Sequence, residues 1–364
     1  MRREILETMT EDYKLACDLF DENNHLLLAK GVCLNQKNIN HLLRNGYRTV
    51  FIENDPHRVD PNPILTTDFY LKAIKVIKLA FIDFKILMQL REGEQTPKNR
   101  HKLIKALEVR DLHMDRLVQL TDKVIDLSRG SYTQKIDFFR PKNLYLYNIQ
   151  HALNTGLIAL LIGLNQSMNK NELRSLFLSS ILCEMGNLTI PEEILLKSEG
   201  LTDEEFHVVK GHCRDAYTEV GSCTELNYII KIICLEHHEK IDGSGYPNGL
   251  TGENINPLAR ILTIADTFDA LISDRSYRLG HSHIKALNIL SSLAGIHYDT
   301  HYMDVLKDLI VPYPLGSLVS VNQRIRGIVV DYSSNHKPII QVINNHGSPI
   351  RIDMSDYPQL TLET

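Results

Sequence analysis

The segment EHHEKIDGSGYP, residues 236–247, places two adjacent histidines directly before a glycine-rich turn that ends in Tyr-Pro. Imidazole nitrogens are the commonest protein ligands for transition metals, and neighbouring carboxylates can orient such a ring. Neighbouring residues of a regular helix diverge by about 100°, so His237 and His238 cannot share one helical face. The apolar run 228–235 predicts a helix that the glycines of the turn end. We therefore expect both histidines near a helix end, or directed at two different ions.

The same segment resembles the signature of the HD-GYP family of cyclic di-GMP phosphodiesterases. Residues 237–250, HHEKIDGSGYPNGL, carry the double histidine and the Gly-Tyr-Pro turn, and the resemblance extends from about residue 145 to about residue 300. The further motifs are Ile190-Pro191 with ILLK at 194–197, LTDEE at 201–205 with His212, ARILTIADTFDAL at 259–271, and DRSYR at 274–278. This ordered series implies an HD-GYP-type helical bundle.

Composition restricts the class of protein. The 364 residues suffice for two or three domains with a sizeable core, and a formal net charge of −5 gives no support for a broad nucleic-acid-binding surface. Six cysteines without a CxxC pair indicate reduced thiols. No apolar stretch is long enough to span a bilayer, and the N-terminal residues lack the apolar core of a signal peptide. We expect a cytoplasmic protein that binds neither nucleic acid nor membrane.

The periodicity of the chain predicts four parts and a mainly α fold. Residues 1–60 are predicted to form a small α/β domain, with a strand over 13–20, a short helix capped by Asn35 or Asn38, and a Pro-rich linker at 55–63. Residues 61–142 are predicted to form two long connecting helices separated by Pro97, with Leu127 on the apolar stripe of the second. Residues 143–310 show helix after helix without a convincing strand, as a helical bundle does. From 311 to 364, short β-branched runs separated by Gly, Asn, Ser and Pro predict a small β domain.

The parts outside the bundle admit more than one interpretation. The N-terminal domain is either a signal-input domain or a packing or dimerising cap, since its motifs are generic. The connecting helices could transmit a signal or form a homodimer interface, although packing on the core is the simpler account. The C-terminal β domain carries no chemistry that we recognise and is interpreted as a structural appendage.

The resemblance implies a metal site for phosphodiester hydrolysis. Family members take their ligands from a first histidine, an adjacent His-Asp pair, a third histidine, the double histidine and a late aspartate. The matching positions here are His151, Cys183, Glu184, His212, His237, His238 and Asp266. Two ions about 3.5–4 Å apart deprotonate a water and clamp the phosphate, so we expect one or two Fe, Mn or Zn ions per chain. Glu184 and Asp266, as carboxylates able to bridge two ions, are the catalytic candidates.

The sequence departs from the family at the His-Asp pair, which is Cys183-Glu184 here. A thiolate is softer than imidazole and favours Zn over Fe or Mn, while Glu extends the carboxylate by one methylene. Misplacement of about an ångström can cost about 10²-fold in rate. The lysine that follows the pair in the family is matched by Asn187, and Tyr147 stands where some members place a glutamate for a third ion. We expect no trinuclear centre, and better occupancy where the histidines are intact.

Each candidate ligand also has a purely structural interpretation. Taken alone, His151 and His212 could be hydrogen-bonded core histidines, and Cys183 a small buried hydrophobic residue. Asp266 is more telling because it lies in an apolar helical run, where an unpaired carboxylate is costly.

Two further motifs are candidates for binding substrate. Arg275 and Arg278 are three residues apart and could face one ligand, and the resemblance implies that they bind the phosphates of the dinucleotide; solvated surface arginines are the alternative. Tyr246 shapes the Gly-Tyr-Pro loop, and Gly245 lets its backbone approach a ligand closely. In the family this loop is also proposed to contact diguanylate cyclase partners.

Two functions follow for this sequence. The first is a metal-dependent phosphodiesterase that cleaves cyclic di-GMP, or a related nucleotide, to pGpG or GMP, impaired or conditional because of Cys183-Glu184. The second is a catalytically inactive module that binds cyclic di-GMP or another protein. A general nucleotide phosphohydrolase of HD type is disfavoured because the Gly-Tyr-Pro segment is complete.

Overall fold

The fold is taken from a computed structural model, whose described parts cover most of the chain. They are residues 2–9, 13–53, 64–93, 96–130, 141–195, 197, 199–223, 226–275, 278–333, 337–343 and 350–363. The predicted linker at 55–63 lies outside the described residues. So do Leu196 of the ILLK motif and the central Ser276 and Tyr277 of the DRSYR motif.

The N-terminal residues form the predicted small α/β unit. Its elements are β1 (Arg2–Ile5), β2 (Tyr13–Lys14), β3 (Leu19–Phe20), β4 (Leu26–Leu28), β5 (Cys33–Leu34), α1 (Gln36–Arg44) and β6 (Thr49–Ile52). The strand pairs are all antiparallel: β1 with β6, β2 with β5, and β3 with β4. Helix α1 begins after Asn35, whose side chain accepts a hydrogen bond from the backbone N–H of Asn38. The expected continuous strand over 13–20 is wrong, because the chain breaks it into β2 and β3.

Two long helices follow, α2 (Thr67–Glu92) and α3 (Pro97–Ser128), and Pro97 separates them as predicted. Proline is tolerated in the first helical turn because its missing N–H has no intrahelical partner there. Phe84 of α2 and Val124 of α3 lie in the same buried cluster as the bundle that follows, so these helices pack on the core. Leu127, which we expected on the apolar stripe, is exposed instead.

The helical bundle is the main body of the protein. It contains α4 (Tyr147–Asn165), α5 (Lys170–Met185), α6 (Glu192–Leu195), α7 (Asp203–Lys210), α8 (His212–Gly221), α9 (Tyr228–Glu236), α10 (Pro257–Ile272), α11 (His283–Ser292) and α12 (Thr300–Leu309). Helix α4 is buried on all sides. Gly156 allows α5 to approach it, since a Cβ there would lie 2.4 Å from Ser180 Oγ. Between 143 and 310 the described residues form isolated bridges but no strand, and the mainly α fold class is confirmed.

The C-terminal residues form an antiparallel sheet with a small core of its own. Its strands are β7 (Leu318–Val321), β8 (Ile325–Tyr332), β9 (Pro338–Val342), β10 (Arg351–Asp353) and β11 (Leu362–Glu363), in the order β10-β9-β8-β7-β11. Val319, Val329 and Ile340 belong to this core, separate from the clusters of the bundle and of the N-terminal unit. The exact domain boundaries stay a prediction. Within the described residues, no helix has both the length and the apolar character needed to cross a membrane.

The N-terminal unit is attached to the loop that follows α10. The buried Asp274 carboxylate pairs with the Arg3 guanidinium, accepts a hydrogen bond from Thr49 Oγ1 at 2.6 Å, and accepts the Gly280 N–H at 2.9 Å. Arg48 donates to the Arg275 carbonyl at 2.9 Å. The unit therefore holds the backbone of the loop that carries the two candidate arginines.

A buried histidine where α11 meets the C-terminal segment predicts how stability depends on pH. His283 donates from Nδ1 to the Val311 carbonyl at 3.1 Å, and burial lowers its pKa to about 4. Its unfolded pKa is about 6.5, so the unfolded chain binds more protons between those values, and His283 costs up to about 3 kcal/mol of stability as pH falls from 6.5 to 4. We expect His283→Gln to flatten the pH dependence of urea unfolding in that range. Equal slopes for the variant and the wild-type protein would contradict this assignment.

Candidate metal centre

Side chains from five helices converge at one end of the bundle. His151 comes from α4, Glu184 from the end of α5, His212 from the start of α8, His237 and His238 from the end of α9, and Asp266 from α10. Five of these residues, together with Cys213, offer ligand atoms in two groups, in each of which one ligand atom per residue lies within 4.8 Å of the others. We call them the carboxylate group (His151, Glu184, Asp266) and the nitrogen–sulfur group (His212, Cys213, His237).

The carboxylate group is organised around the His151 ring. Its Nε2 lies 2.8 Å from Asp266 Oδ1 and 3.8 Å from Glu184 Oε1. Burial opposes a charge on this ring, but Tyr147 and the hydrogen bonds to Asp266 and Asp269 raise the pKa of His151 well above its usual value. Burial likewise opposes the Asp266 charge, yet His151 holds the pKa of Asp266 below its usual range. The group thus pairs a cation with carboxylates, as a site that accepts a metal in place of the proton would.

Sequence reasoning missed the support behind His151. Asp269 Oδ2 accepts from His151 Nδ1 at 2.6 Å and also binds the Lys142 ammonium, while Asn154 Nδ2 donates to Oδ1 at 3.1 Å. Burial works against the Asp269 charge, but Lys142 and His151 lower the pKa of Asp269 to about 2. A ring whose second nitrogen is held by a carboxylate is oriented for ligation at the first. The signal available in the sequence was an aspartate one helical turn after Asp266.

Glu184 is held in place by two features of the turn that ends α5. Its Oε2 accepts a hydrogen bond from Asn187 Nδ2 at 2.9 Å, and burial raises the pKa of its carboxyl. Gly186 packs directly on the start of α8, since a Cβ there would lie 2.1 Å from the His212 carbonyl oxygen. This contact brings Glu184 and His212 to the same end of the bundle.

In the nitrogen–sulfur group, two imidazoles face each other. His212 Nδ1 donates to the Val209 carbonyl at 2.7 Å, and His237 Nδ1 donates to the Cys234 carbonyl at 2.8 Å. The two Nε2 atoms are 3.2 Å apart, and both side chains are buried. Burial lowers the pKa of His237 to about 4, so its Nε2 carries a lone pair at neutral pH. Two buried rings whose Nε2 atoms face each other at this distance fit a cation bound between them.

His238 lies between the two groups. Its Nδ1 is 3.9 Å from Asp266 Oδ2, and its ring centre is 4.1 Å from that of His237. Burial, together with His237, lowers the pKa of His238 well below its usual value. Helix α9 ends at Glu236, which confirms that the histidine pair lies at a helix end. The prediction that the glycines end this helix is wrong, because it stops before Gly243.

Like His238, Cys183 is a predicted ligand that belongs to neither group among the described residues. It is buried on α5, where burial and its neighbour Cys234 raise the pKa of its thiol well above the usual value. Sequence reasoning missed Cys213, which contributes the sulfur of the nitrogen–sulfur group. Its position directly after His212 was the available signal.

The Gly-Tyr-Pro loop folds back onto the histidine pair. Glu239 is buried, and its carboxylate accepts the backbone N–H groups of Asn248 at 2.7 Å and Leu250 at 3.0 Å. Gly245 has no room for a side chain, because a Cβ would lie 2.4 Å from the Lys240 nitrogen. The Tyr246 ring centre is therefore placed 4.9 Å from that of His238.

The two candidate arginines have different surroundings. Arg278 donates to the carbonyls of Ala270 at 2.8 Å and Leu271 at 3.3 Å, in the last turn of α10. The Arg275 guanidinium lies 5.2 Å from the centre of the Tyr147 ring, which stacks on His151. Arg275 is thus close to the carboxylate group, whereas Arg278 stabilises the end of the helix that carries Asp266.

Comparison with known proteins agrees with this architecture. Residues 133–302 match the family model described as HD domain. The sequence is 32% identical over 187 residues to the cyclic di-GMP phosphodiesterase PA4108 of Pseudomonas aeruginosa, over 51% of this chain and 44% of that protein. It is 32% identical over 246 residues to the cyclic di-GMP phosphodiesterase response regulator RpfG of Xanthomonas campestris pv. campestris, over 66% of this chain and 60% of that protein. The solved structure described as Bd1817, a HDG"Y"P protein from Bdellovibrio bacteriovorus, aligns with 84% of this chain and 98% of its own, at 16% identity and a TM-score of 0.43.

The matched segment is similar to an HD domain, and the similarity to cyclic di-GMP phosphodiesterases covers 51–66% of the chain. The chain spans 44% and 60% of the lengths of the two curated relatives named above.

Proposed function

We propose that this chain is a metal-dependent phosphodiesterase that hydrolyses cyclic di-GMP to pGpG or GMP. The observation that carries the proposal is the convergence of six side chains, from distant parts of the chain, at one end of the bundle. Five of them belong to the two groups of candidate ligands, and His238 lies between the groups. The six are His151, Glu184, His212, His237, His238 and Asp266. The names of the two curated relatives support the substrate class.

The chain's own residues provide the arrangement that this reaction requires. Divalent ions, when bound, supply Lewis-acid polarisation of the phosphate and activation of water. Asp266 is placed between the two groups, with Oδ1 2.8 Å from His151 Nε2 and Oδ2 3.9 Å from His238 Nδ1. It is therefore the carboxylate that would hold divalent ions on both sides of the centre, with Glu184 completing the carboxylate group. Hydrogen bonds on the far nitrogens of His151, His212 and His237 fix the orientation of each ring.

Substrate approaches the centre from the side of His238 and the Gly-Tyr-Pro loop in this proposal. The His238 side chain is 26% exposed, and the Tyr246 ring lies beside it. Arg275, next to Tyr147 and His151, is assigned to the phosphates, and Arg278 supports that contact by holding the loop against α10. Gly245 lets the loop backbone approach closely. The Gly-Tyr-Pro loop is also the surface that we assign to contact with a diguanylate cyclase partner. Helices α2 and α3 form the surface that we assign to a homodimer interface.

The replacement of the His-Asp pair predicts slow hydrolysis of cyclic di-GMP. Restoring the residues of the family pattern should therefore raise the rate. Glu184 keeps the negative charge, but Asn187 binds its carboxylate in place of a lysine that could neutralise phosphate. We expect the triple variant Cys183→His, Glu184→Asp, Asn187→Lys to raise steady-state hydrolysis of cyclic di-GMP by about 10²-fold, because it restores carboxylate and ligand placement. The assay is run with Mn²⁺, Fe²⁺ and Zn²⁺, and metal content is measured on the same samples.

A second function is favoured by one observation, the position of Cys183 outside both groups. Loss of that ligand would leave a module that binds cyclic di-GMP, or another protein, without turnover. Binding by wild-type protein in the absence of turnover with any metal would establish this second function. If the triple variant neither binds nor cleaves cyclic di-GMP, the assignment of Arg275 to its phosphates and of Arg278 to the support of that contact is wrong.

A further inference from the structure

We propose that Cys213 is a metal ligand and that the nitrogen–sulfur group is a zinc site built from two imidazoles and one thiolate. The inference rests on the proposed metal dependence but not on turnover. The sulfur ligand in this proposal comes from Cys213. It does not come from Cys183, which matches the histidine of the His-Asp pair in the family pattern.

The distances within the group match a tetrahedral zinc site. With Zn–N near 2.0–2.1 Å and Zn–S near 2.3 Å, tetrahedral angles place two nitrogens about 3.3 Å apart and a nitrogen and a sulfur about 3.6 Å apart. His212 Nε2 and His237 Nε2 are 3.2 Å apart, and Cys213 Sγ lies 3.6 Å from His212 Nε2. Cys213 Sγ also lies 4.0 Å from His237 Nδ1, and one ligand atom from each of the three residues lies within 4.8 Å of the others. The two distances to His212 Nε2 therefore match the spacing that a tetrahedral zinc ion would require.

The hydrogen bonds around the group leave its nitrogens directed at a common point. Both Nδ1 atoms donate to backbone carbonyls, those of Val209 and Cys234, so the two Nε2 atoms face each other and are left for a ligand. His212 and His237 are 3% and 2% exposed, too little for water to relieve that contact fully. Backbone carbonyls that bind the second ring nitrogen are the usual support of histidine ligands.

The ligand chemistry divides the two groups between different ions. A thiolate selects zinc over iron or manganese, whereas carboxylates suit harder ions. The nitrogen–sulfur group contains the sulfur, and the carboxylate group contains Glu184 and Asp266. As the metal–sulfur bond forms, the Cys213 thiol proton passes to water, so a divalent ion and one thiolate leave a net charge of +1. We infer zinc in the nitrogen–sulfur group and manganese or iron beside it.

The full-length wild-type protein is compared with Cys213→Ser and with the matched control Cys183→Ser, a second buried thiol that lies in neither group. Each is stripped of metal, loaded with Co²⁺ and examined for a thiolate-to-cobalt charge-transfer band in the near ultraviolet. Zinc affinity is measured by competition with a chelator. We expect the wild type and Cys183→Ser to show the band, and Cys213→Ser to lose it with a fall in zinc affinity of at least about 10–100-fold, the usual cost of losing even an outer-shell partner.

Two further measurements test the Cys213 ligand if Cys213→Ser does not fold. X-ray absorption of the zinc-loaded wild type should show one sulfur at about 2.3 Å. Cys213→Asp, which keeps a ligand, should retain zinc but show no charge-transfer band. A band that persists in Cys213→Ser, or that disappears only in Cys183→Ser, would overturn the assignment, and so would a zinc shell without sulfur. Sulfur coordination without turnover would refute the proposed function alone, whereas turnover without sulfur coordination would refute this inference alone.

Discussion

Replacing both His237 and His238 with alanine is expected to empty the nitrogen–sulfur group of metal and to reduce hydrolysis of cyclic di-GMP to background. His237 supplies one of the two facing nitrogens, 3.2 Å from His212 Nε2, and His238 is the imidazole nearest to Asp266 on the same segment. Elemental analysis of purified protein measures the loss of metal, and product formation measures the loss of activity. Removing ligands should cost more than the 10–100-fold in metal affinity that is typical for outer-shell partners.

The matched control for this double variant is His283→Gln. His283 is buried like His237, but it bonds to the Val311 carbonyl and lies in neither group. We expect the control to keep its metal and its activity at pH 7, even if its stability changes. An undiminished metal content in the double variant would mean that these histidines are not ligands.

Asp266→Asn is expected to reduce turnover by about 10³-fold or more while leaving the nitrogen–sulfur group able to bind metal. The substitution keeps the shape of the side chain but removes the negative charge that we assign to holding the divalent ions. A charge in a site from which water is excluded makes a large electrostatic contribution to catalysis. His151 holds the pKa of Asp266 below its usual range, so the carboxylate is fully ionised at neutral pH. The variant should therefore lose the metal ion that the carboxylate group is proposed to bind, and its kcat should fall as well.

Asp304→Asn is the control for the loss of one aspartate charge, because Asp304 is exposed on α12 and pairs with Lys307. Its kcat and metal content should equal those of the wild type. If Asp266→Asn retained full turnover, Asp266 would be a packing residue, and the role that we assign to its carboxylate in holding the divalent ions would be wrong.

Local patterns were sufficient to predict most of the helices. Apolar periodicity predicted α2 and α3, Pro97 predicted their separation, and Asn35 or Asn38 predicted the start of α1, which begins after Asn35. These signals depend on neighbours within about one or two turns of helix, which a single sequence displays directly. The order of the motifs selected the six candidate ligands that converge, because each lies at a position that matches the pattern of the family this sequence resembles. Strand β1 escaped prediction, since its partner β6 lies far away in sequence and its four residues show little alternation.

The contacts that complete the site depend on tertiary packing. Asp269 and Lys142 meet behind His151 only because the segment before α4 lies against α10. Nothing in the local sequence states that a lysine and an aspartate so far apart share a buried pair. Arg278 similarly carries the residue type expected for phosphate, yet its nearest acceptors are carbonyls at the end of α10.

Cys183 and Cys213 show most clearly what the sequence determines and what the tertiary structure determines. The sequence by itself was sufficient to predict the resemblance to the HD-GYP family, the helical fold and the replacement of the His-Asp pair by Cys183-Glu184. Only the tertiary structure decided which sulfur is near the imidazoles. Cys183 faces Cys234 in the interior, whereas Cys213 lies at the start of α8, against His212 and His237. The physical reason is that a short side chain reaches a ligand only where its own backbone is already close, and helix packing sets that position.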